Sequence, residues 1–280
     1  MFAYFLCKIA YVLVIHLPLR AGYAIAAFLS IIKYYVSPRD RKAVINNLKK
    51  ILPVCEHKKI NSYAKEVFIN FGKYLVEFFR FSLIQKENLD SIVKIKGLQH
   101  VDKALKKGRG VVVLTAHMGN WELGGVAMSV LGYPMIAVAL PHNHRKINAF
   151  FNCQREKGGA VVVSSLGLAV RRIYDALKNN KIVALVGDRD FAGVGLKMDF
   201  LGETKLIPRG PAVLSLRTGA SVIPGFVIRQ KDDTHILEFL EPIQDLGSEE
   251  RIMSECTKVI ETKIRQYPTQ WLLFREFWKE

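Results

Sequence analysis

Short apolar runs that alternate with helical stretches fill the part of the chain that begins at Gly108. The runs read GVVVLTA, MIAVAL, AVVVSS and KIVALVGD. Successive apolar positions of this kind are typical of strands that are covered on both faces. The segments between them, GNWELGGVAMSVLG, KINAFFNCQREKG and SLGLAVRRIYDALKNN, have the length and the periodicity of helices. The alternation predicts an α/β fold with a mostly parallel central sheet flanked by helices.

The flanking segments add helices and two further strands. Between His57 and Ile84, apolar residues recur at steps of three and four, which predicts a helix with a phenylalanine-rich face. That face would either join the core or wall a groove for an acyl chain. Downstream, SVIPGFVIRQ and HILEFLEPI are predicted to be strands that could pair antiparallel. A long helix follows in SEERIMSECTKVIETKIRQY, with Ser248 as its N-cap.

The first 36 residues are strongly apolar but are interrupted by Lys8, His16, Pro18 and Arg20. Neither apolar run reaches the roughly 20 residues of a clean membrane span. We expect a helix or a broken hairpin inserted in one leaflet, with the break at Pro18. A single tilted span and a buried pair of core helices are the alternatives. The segment also lacks the features of a cleavable signal peptide.

These patterns predict that the chain consists of a membrane-anchoring segment over residues 1–36 and one further domain over residues 37–280. A basic stretch from Arg39 to Lys50 comes directly after the apolar segment. Basic residues beside an apolar anchor favour contact with an anionic membrane surface.

The composition indicates an anionic partner. Lys and Arg number 41 against 25 Asp and Glu, which gives a net charge of +16 over 280 residues. Nucleic acid, a phospholipid surface and an acidic protein all fit such a charge. The chain carries no nucleic-acid-binding motif, so a non-catalytic nucleic-acid-binding protein is the weaker reading. The four scattered cysteines suit a reducing compartment, and Cys153 is expected to be a packed or inert thiol.

A histidine and several carboxylates follow two of the predicted strands. Ligand sites of open α/β sheets lie beyond the carboxyl ends of strands. His117 follows VVVLTA, and Glu122 falls on the first turn of the next helix. A carboxylate on one ring nitrogen would make the imidazole a general base, although Glu122 could also simply complement the helix N-terminus. Asp188 and Asp190 follow KIVALVG and could reach the same crevice or cap their own loop.

Other chemistries are less well supported by the sequence. The histidines of PHNH, His142 and His144, do not form an HExxH zinc motif, and no GxSxG serine elbow is present. We therefore expect neither a metal nor another cofactor. Arg209 and Gly210 stand where a helix should begin, and helix N-terminal amides bind phosphate readily.

The stretch HMGNWE resembles the H-x4-D/E motif of the glycerolipid acyltransferase superfamily. Its GNWE form resembles the bacterial late acyltransferases of lipid A biosynthesis, whose relatives acylate phosphatidylinositol mannosides. Further blocks resemble that family in order along nearly the whole chain: VINNLKKILP, NHRKINAFFNCQREKGGAVV, GDRDF, MDFLGETKLIPRGPAVLSLRTGASVIPGF and QWLLFREFWK. The chain departs from the family in PHNH, where an Asn-Pro pattern is usual, and in FREFWK, where two adjacent arginines are common.

The resemblance implies an O-acyltransferase at the bacterial inner membrane, with its catalytic domain facing the cytoplasm. It would move an acyl chain from a thioester of acyl carrier protein or CoA to a hydroxyl of a lipid A precursor or a related glycolipid. A lysophospholipid acceptor, and a lipid or thioester hydrolase, are the alternatives. His117 would be the base and Glu122 its partner, while Arg155 would meet the oxyanion or a substrate phosphate, or form a surface salt bridge. Asp188 and Asp190 would orient a catalytic cation or the acceptor. Substrate contacts would come from further residues: Asn120, Trp121, Arg209, Gly210 and Arg275.

Overall fold

The computed structural model describes residues 2–139, 144–159, 161–164, 169–191, 193–244 and 247–279. Its helices are α1 Phe2–His16, α2 Leu19–Val36, α3 Pro38–Ile51, α4 His57–Phe79, α5 Lys86–Ile92, α6 Leu98–Leu105, α7 Trp121–Val130, α8 Arg145–Lys157, α9 Ala169–Lys178, α10 Gly210–Thr218 and α11 Glu249–Gln266. Its strands are β1 Val93–Lys96, β2 Val111–Thr115, β3 Met135–Ala139, β4 Val161–Ser164, β5 Ile182–Val186, β6 Leu196–Phe200, β7 Glu203–Ile207, β8 Ser221–Arg229 and β9 His235–Phe239.

The central sheet has seven strands in the order β1-β9-β8-β2-β5-β3-β4. Neighbouring strands are parallel except for β8 and β9, which pair antiparallel. The predicted α/β fold and the antiparallel pair are therefore confirmed. Strand β1 and the separate hairpin of β6 and β7 were not predicted.

The core lies on both faces of this sheet, as the unbroken apolar run of β2 requires. All five residues of β2 are buried. Val111 and Val113 pack into one hydrophobic cluster with the phenylalanines of α4, while Val112 and Leu114 pack into the other with α11. Side chains of a strand alternate between its faces, so each layer of helices receives alternate residues of β2. Packing on both faces holds β2 in place, and it thereby also holds the turn that follows β2.

The apolar N-terminal segment forms two helices that meet at Pro18, where the sequence predicts a break. Arg80 donates hydrogen bonds to the carbonyls of Val14 and Leu17 (2.5 and 2.8 Å), which satisfies the end of the first helix. The second helix, α2, packs along α4, where Gly72 lies so close that an added Cβ would be 2.3 Å from Ser30 Oγ. The outer face of α2 is exposed, whereas the alternative of a buried pair of core helices would require it to be buried.

Large apolar side chains are exposed along both helices. They are Phe5, Leu6, Ile9, Val12, Leu13, Leu19, Ile25, Phe28, Leu29, Ile31, Ile32, Tyr35 and Val36. Helix α2 is long and apolar enough to cross a membrane, with a mean hydropathy of 1.2. So many exposed large apolar side chains on two consecutive helices indicate an interaction site rather than a solvated surface.

Candidate active site

The histidine predicted at the end of β2 meets an aspartate from the end of β5. The two strands are neighbours, and their register pairs Thr115 with Val186. His117 and Asp188 both lie two positions further on, so they leave the sheet side by side. His117 Nδ1 is 2.7 Å from Asp188 Oδ1, and the backbone N–H of His117 donates to Asp188 Oδ2 at 3.2 Å.

Asp188 is fully buried and is held by a third donor. The indole Nε1 of Trp271 donates to Asp188 Oδ2 at 2.9 Å. Burial alone would raise the pKa of the Asp188 carboxyl, but the adjacent His117 and these hydrogen bonds outweigh it and lower that pKa. An ionised carboxylate only accepts hydrogen bonds, so the proton of the neutral imidazole sits on Nδ1. The lone pair is left on Nε2, as a general base requires.

The turn after His117 is fixed by backbone hydrogen bonds. The amide of Leu272 donates to the His117 carbonyl at 2.8 Å, and the amide of Gly119 donates to the Gln270 carbonyl at 2.8 Å. Gly119 adopts a positive φ of 57°, and an added Cβ would lie 1.8 Å from the Val227 carbonyl oxygen. Only glycine fits this position, which explains the residue between the histidine and the helix.

Glu122 does not orient the imidazole, so the predicted contact between His117 and Glu122 is wrong. Its carboxylate is taken instead by the guanidinium of Arg155 on α8, with Nε 3.0 and 2.9 Å from the two oxygens and Nη2 2.6 Å from Oε1. Both side chains are only 11% exposed, so Arg155 does not form a surface salt bridge. The physical reason is geometric, because Asp188 already occupies His117 Nδ1 and Glu122, on the first turn of α7, lies against Arg155 of α8.

Aromatic rings surround the imidazole. Trp121 stacks on Tyr74 of α4 with ring centroids 4.8 Å apart, and its ring lies edge-on to His117 at 5.2 Å. The Arg155 guanidinium lies 5.7 Å from the ring centre of Phe78. Stacked and edge-on rings restrict the motion of the groups between them. The phenylalanine-rich helix therefore contributes Phe78 to the core and Phe71 to the wall of the cavity described next.

His117 opens into a cavity of about 1070 Å³. Its wall includes the apolar residues Phe71, Leu75, Met128, Met135, Ala137, Phe151 and Leu237. The wall also carries arginines, namely Arg155, Arg189, Arg209 and Arg217. A cavity lined by both apolar side chains and arginines suits an amphipathic anion.

Several other predicted residues lie in the same cavity wall. They are Trp121, Glu122, Arg155, Asp190, Arg209 and Gly210. Asp190 Oδ2 accepts a hydrogen bond from the Gly195 amide at 2.7 Å, so it caps its own loop as well as facing the cavity. The Arg209 guanidinium, at the start of α10, pairs with Glu249 at 2.7 Å.

Two residues predicted to contact substrate are not part of the cavity wall. Asn120 is fully buried, and its side chain caps α7 by accepting from the Leu123 amide at 3.0 Å. Arg275 is exposed on the C-terminal segment and is not among the residues that line the cavity. Among the described residues no group of three His, Cys, Asp or Glu is placed to hold a metal ion, and His142 lies outside those residues.

Sequence reasoning missed Trp271, Tyr74, Arg189 and Arg217. Trp271 follows α11 in a segment without regular periodicity, so no pattern assigns it to Asp188. Arg189 is adjacent to both aspartates of GDRDF, and its place between them was the available signal.

The chain is similar to several known acyltransferases. The chain is 32% identical over 160 residues to a phosphatidylinositol mannoside acyltransferase of Mycobacterium tuberculosis, a match that covers 55% of this chain and 51% of the relative. It therefore spans about half the length of that relative. The chain is 26% identical over 230 residues to the lipid A biosynthesis palmitoleoyltransferase of Escherichia coli, with 81% of this chain and 74% of the relative covered.

A lipid A biosynthesis acyltransferase of Haemophilus influenzae is 21% identical over 276 residues, which cover 96% of this chain and 84% of the relative. A crystal structure of a 1-acyl-sn-glycerophosphate acyltransferase from Thermotoga maritima matches 91% of this chain and 99% of its own, with a TM-score of 0.40 and 15% identity. A family model matches residues 1–280. The chain belongs to the bacterial lipid A biosynthesis acyltransferase family.

Proposed function

We propose that this protein is a membrane-associated O-acyltransferase. It moves a fatty acyl chain from an acyl thioester to a hydroxyl of a lipid A precursor or a related glycolipid. The observation that carries the proposal is His117, whose Nδ1 is held 2.7 Å from buried Asp188 while its ring faces the 1070 Å³ cavity. A base at the wall of a largely apolar cavity suits a reaction of a lipid hydroxyl with an acyl chain.

The imidazole works as base and then as acid. His117 Nε2 takes the proton of the acceptor hydroxyl as its oxygen forms a bond to the thioester carbonyl carbon. The carbon–sulfur bond then breaks, and the leaving thiolate takes the proton back from the imidazolium. Asp188 stabilises the imidazolium and holds the ring in the required tautomer.

The arginines of the cavity wall are suited to bind the phosphate groups of the two substrates. Both reactants are anionic, because acyl carrier protein and CoA donors carry phosphate and many glycolipid acceptors do too. Arg189, Arg209 and Arg217 line the cavity and suit such phosphate groups. Arg155 and Arg209 are both paired with a glutamate, but Arg209 is 43% exposed and can still meet a phosphate. Arg155 is only 11% exposed against Glu122, so we assign it to shaping the wall beside His117 rather than to a phosphate.

Mass spectrometry of lipids from cells with and without this protein tests the proposal. A mass difference of one acyl chain on a glycolipid is the expected result. The purified protein should then transfer from acyl carrier protein or from CoA, and the faster donor identifies the physiological class. Release of free fatty acid without an acylated product would contradict acyl transfer and indicate a hydrolase.

We expect the protein to stay with bacterial inner membranes through residues 1–36, with its catalytic face towards the cytoplasm. The exposed apolar side chains of α1 and α2 should insert, and the exposed Arg39, Lys42 and Lys49 should add a salt-sensitive part. A high-salt wash should therefore leave most of the protein in the membrane fraction, while detergent should release it. Complete release by salt alone would contradict insertion.

We also expect direct transfer without a covalent acyl-enzyme. In the described part of the cavity wall there is neither a serine nor a cysteine. Cys153 is exposed on α8 rather than packed, and it does not line the cavity. Direct attack requires both substrates to be bound together, so initial rates should follow a ternary-complex pattern rather than a ping-pong pattern.

Incubation with radiolabelled acyl donor in the absence of acceptor provides the second measurement. We expect no stoichiometric label on the protein. A label that chases into product, and that is lost in Cys153→Ser, would overturn the role of His117 as a base acting on the acceptor hydroxyl.

A further inference from the structure

A buried carboxylate outside the cavity collects hydrogen bonds from several elements. Glu77, near the end of α4, accepts from Tyr23 Oη of α2 at 2.5 Å and from Arg229 Nη1 of β8 at 2.5 Å. Its other oxygen, Oε2, accepts from Asn120 Nδ2 at 2.6 Å. His235 of β9 places Nε2 at 3.4 Å from the same oxygen. Glu77 is 7% exposed and is not among the residues that line the cavity, so it does not meet substrate.

The charge of Glu77 is retained in spite of this burial. Desolvation would raise the pKa of its carboxyl, but the neighbouring His235 and Arg229 outweigh that effect and hold the pKa below its ordinary value. A buried charge persists only where it is paired and fully hydrogen-bonded. Tyr23, Asn120 and Arg229 all donate to the two oxygens of this one carboxylate, so Glu77 fixes the positions of their side chains relative to one another.

Asn120 is the link between this cluster and the reacting groups. Its Oδ1 accepts from the Leu123 amide at 3.0 Å, its Nδ2 donates to Glu77, and its backbone amide donates to the Val227 carbonyl at 3.2 Å. Both ends of the side-chain amide are thus used. Because Glu77 is an acceptor, the NH₂ end of the Asn120 amide points to Glu77 and the oxygen end points to the Leu123 amide. This orientation fixes the N-cap at which α7 begins.

We propose that Glu77 is a positioning residue for acyl transfer. Its carboxylate holds Asn120, and through it the turn that runs from His117 to Glu122. Through Tyr23 it also ties that turn to helix α2, the second of the two apolar N-terminal helices. The assignment rests on the proposed function, and it gives the asparagine of GNWE a structural role in place of the predicted substrate contact.

The test first removes the donor of the hydrogen bond between Asn120 and Glu77, and then exchanges donor and acceptor between the two residues. Asn120→Asp keeps an acceptor for the Leu123 amide, since Asp and Asn are equally good N-caps, but sets two carboxylates against each other. Displacement of a reacting group by about 1 Å costs on the order of 10²-fold in rate. We expect kcat per folded molecule to fall on that order, while KM for the acyl donor changes less than about threefold.

The second substitution should restore the turn. In Asn120→Asp combined with Glu77→Gln, the new amide can donate to the new carboxylate, so most of the lost kcat should return. The matched control is Ser248→Asp, which changes the N-cap residue of α11, a helix whose cap accepts from the Arg251 amide at 3.3 Å. This control should keep the wild-type kcat. A wild-type kcat per folded molecule in Asn120→Asp, with only a lower melting temperature, would overturn the proposal.

A readout that needs no turnover separates this proposal from the proposed function. The Nδ1–H proton of His117 is identified in the NMR spectrum as the resonance missing from His117→Ala. We expect it to shift or broaden in Asn120→Asp and to return in the double variant. A wild-type protein without transferase activity would contradict the proposed function alone. An unchanged resonance in Asn120→Asp would overturn the positioning role whether or not transfer occurs.

Discussion

Replacement of His117 with alanine is expected to lower kcat for acyl transfer by on the order of 10²–10⁴-fold, the usual contribution of a positioned base. The protein should stay folded, because the His117 side chain is 23% exposed at the cavity wall and its loss leaves no sealed void. Initial rates of the purified variant in detergent, with its melting temperature, provide the measurement. His57→Ala, at the exposed first residue of α4, is the matched control and should leave kcat unchanged.

Asp188→Asn should be nearly as severe for a different reason. An amide can donate to Nδ1, which would favour the imidazole tautomer with its proton on Nε2 and remove the lone pair from the reacting nitrogen. Because the side chains have the same shape, the buried site should stay packed. Near wild-type turnover in either His117→Ala or Asp188→Asn would contradict the mechanism.

The fold could be predicted to the extent that its strands are buried on both faces. The run VVVL has no polar position, and β2, which ends in the buried Thr115, is the fully covered strand that this pattern requires. Strand β1, with the sequence VKIK, and the hairpin strand LKMDF alternate polar and apolar residues over only four or five positions, and the other hairpin strand, ETKLI, does not alternate at all. Such short alternations also occur in loops and helices, so pattern alone did not identify them.

The candidate site could be predicted only where its contacts are local. The position of His117 at a strand end follows from the apolar run before it. Its partner Asp188 is 71 residues away, and their contact depends on β2 and β5 being neighbours in a sheet that also contains β3, β4 and β8. Strand order is not encoded in local spacing. The short spacing of His117 and Glu122 favours a contact between these two residues instead. A carboxylate at the start of a helix pairs with whichever cation packs against it, and here that cation is Arg155.

Removal of the Glu122 carboxylate is expected to be the most destabilising of these substitutions. Glu122→Ala leaves the buried Arg155 guanidinium without its partner, and breaking a buried ion pair on one side typically costs about 3–5 kcal/mol. The free energy of unfolding, measured by chemical denaturation, should fall on that order, and acyl transfer should fall with it. Glu122→Asp keeps the charge and should be milder on both measures.

A double variant separates the ion pair from any direct action of Glu122 on His117. Glu122→Gln combined with Arg155→Met removes both charges, and the methionine can pack against Phe78, which the guanidinium now covers at 5.7 Å. Replacing a whole buried pair in this way is often neutral, so most of the lost stability should return. If Glu122 acts only through Arg155, part of kcat should return with the stability, because the pairing of His117 with Asp188 is untouched. A stable double variant with a rate as low as that of His117→Ala would show instead that Glu122 acts on the imidazole itself.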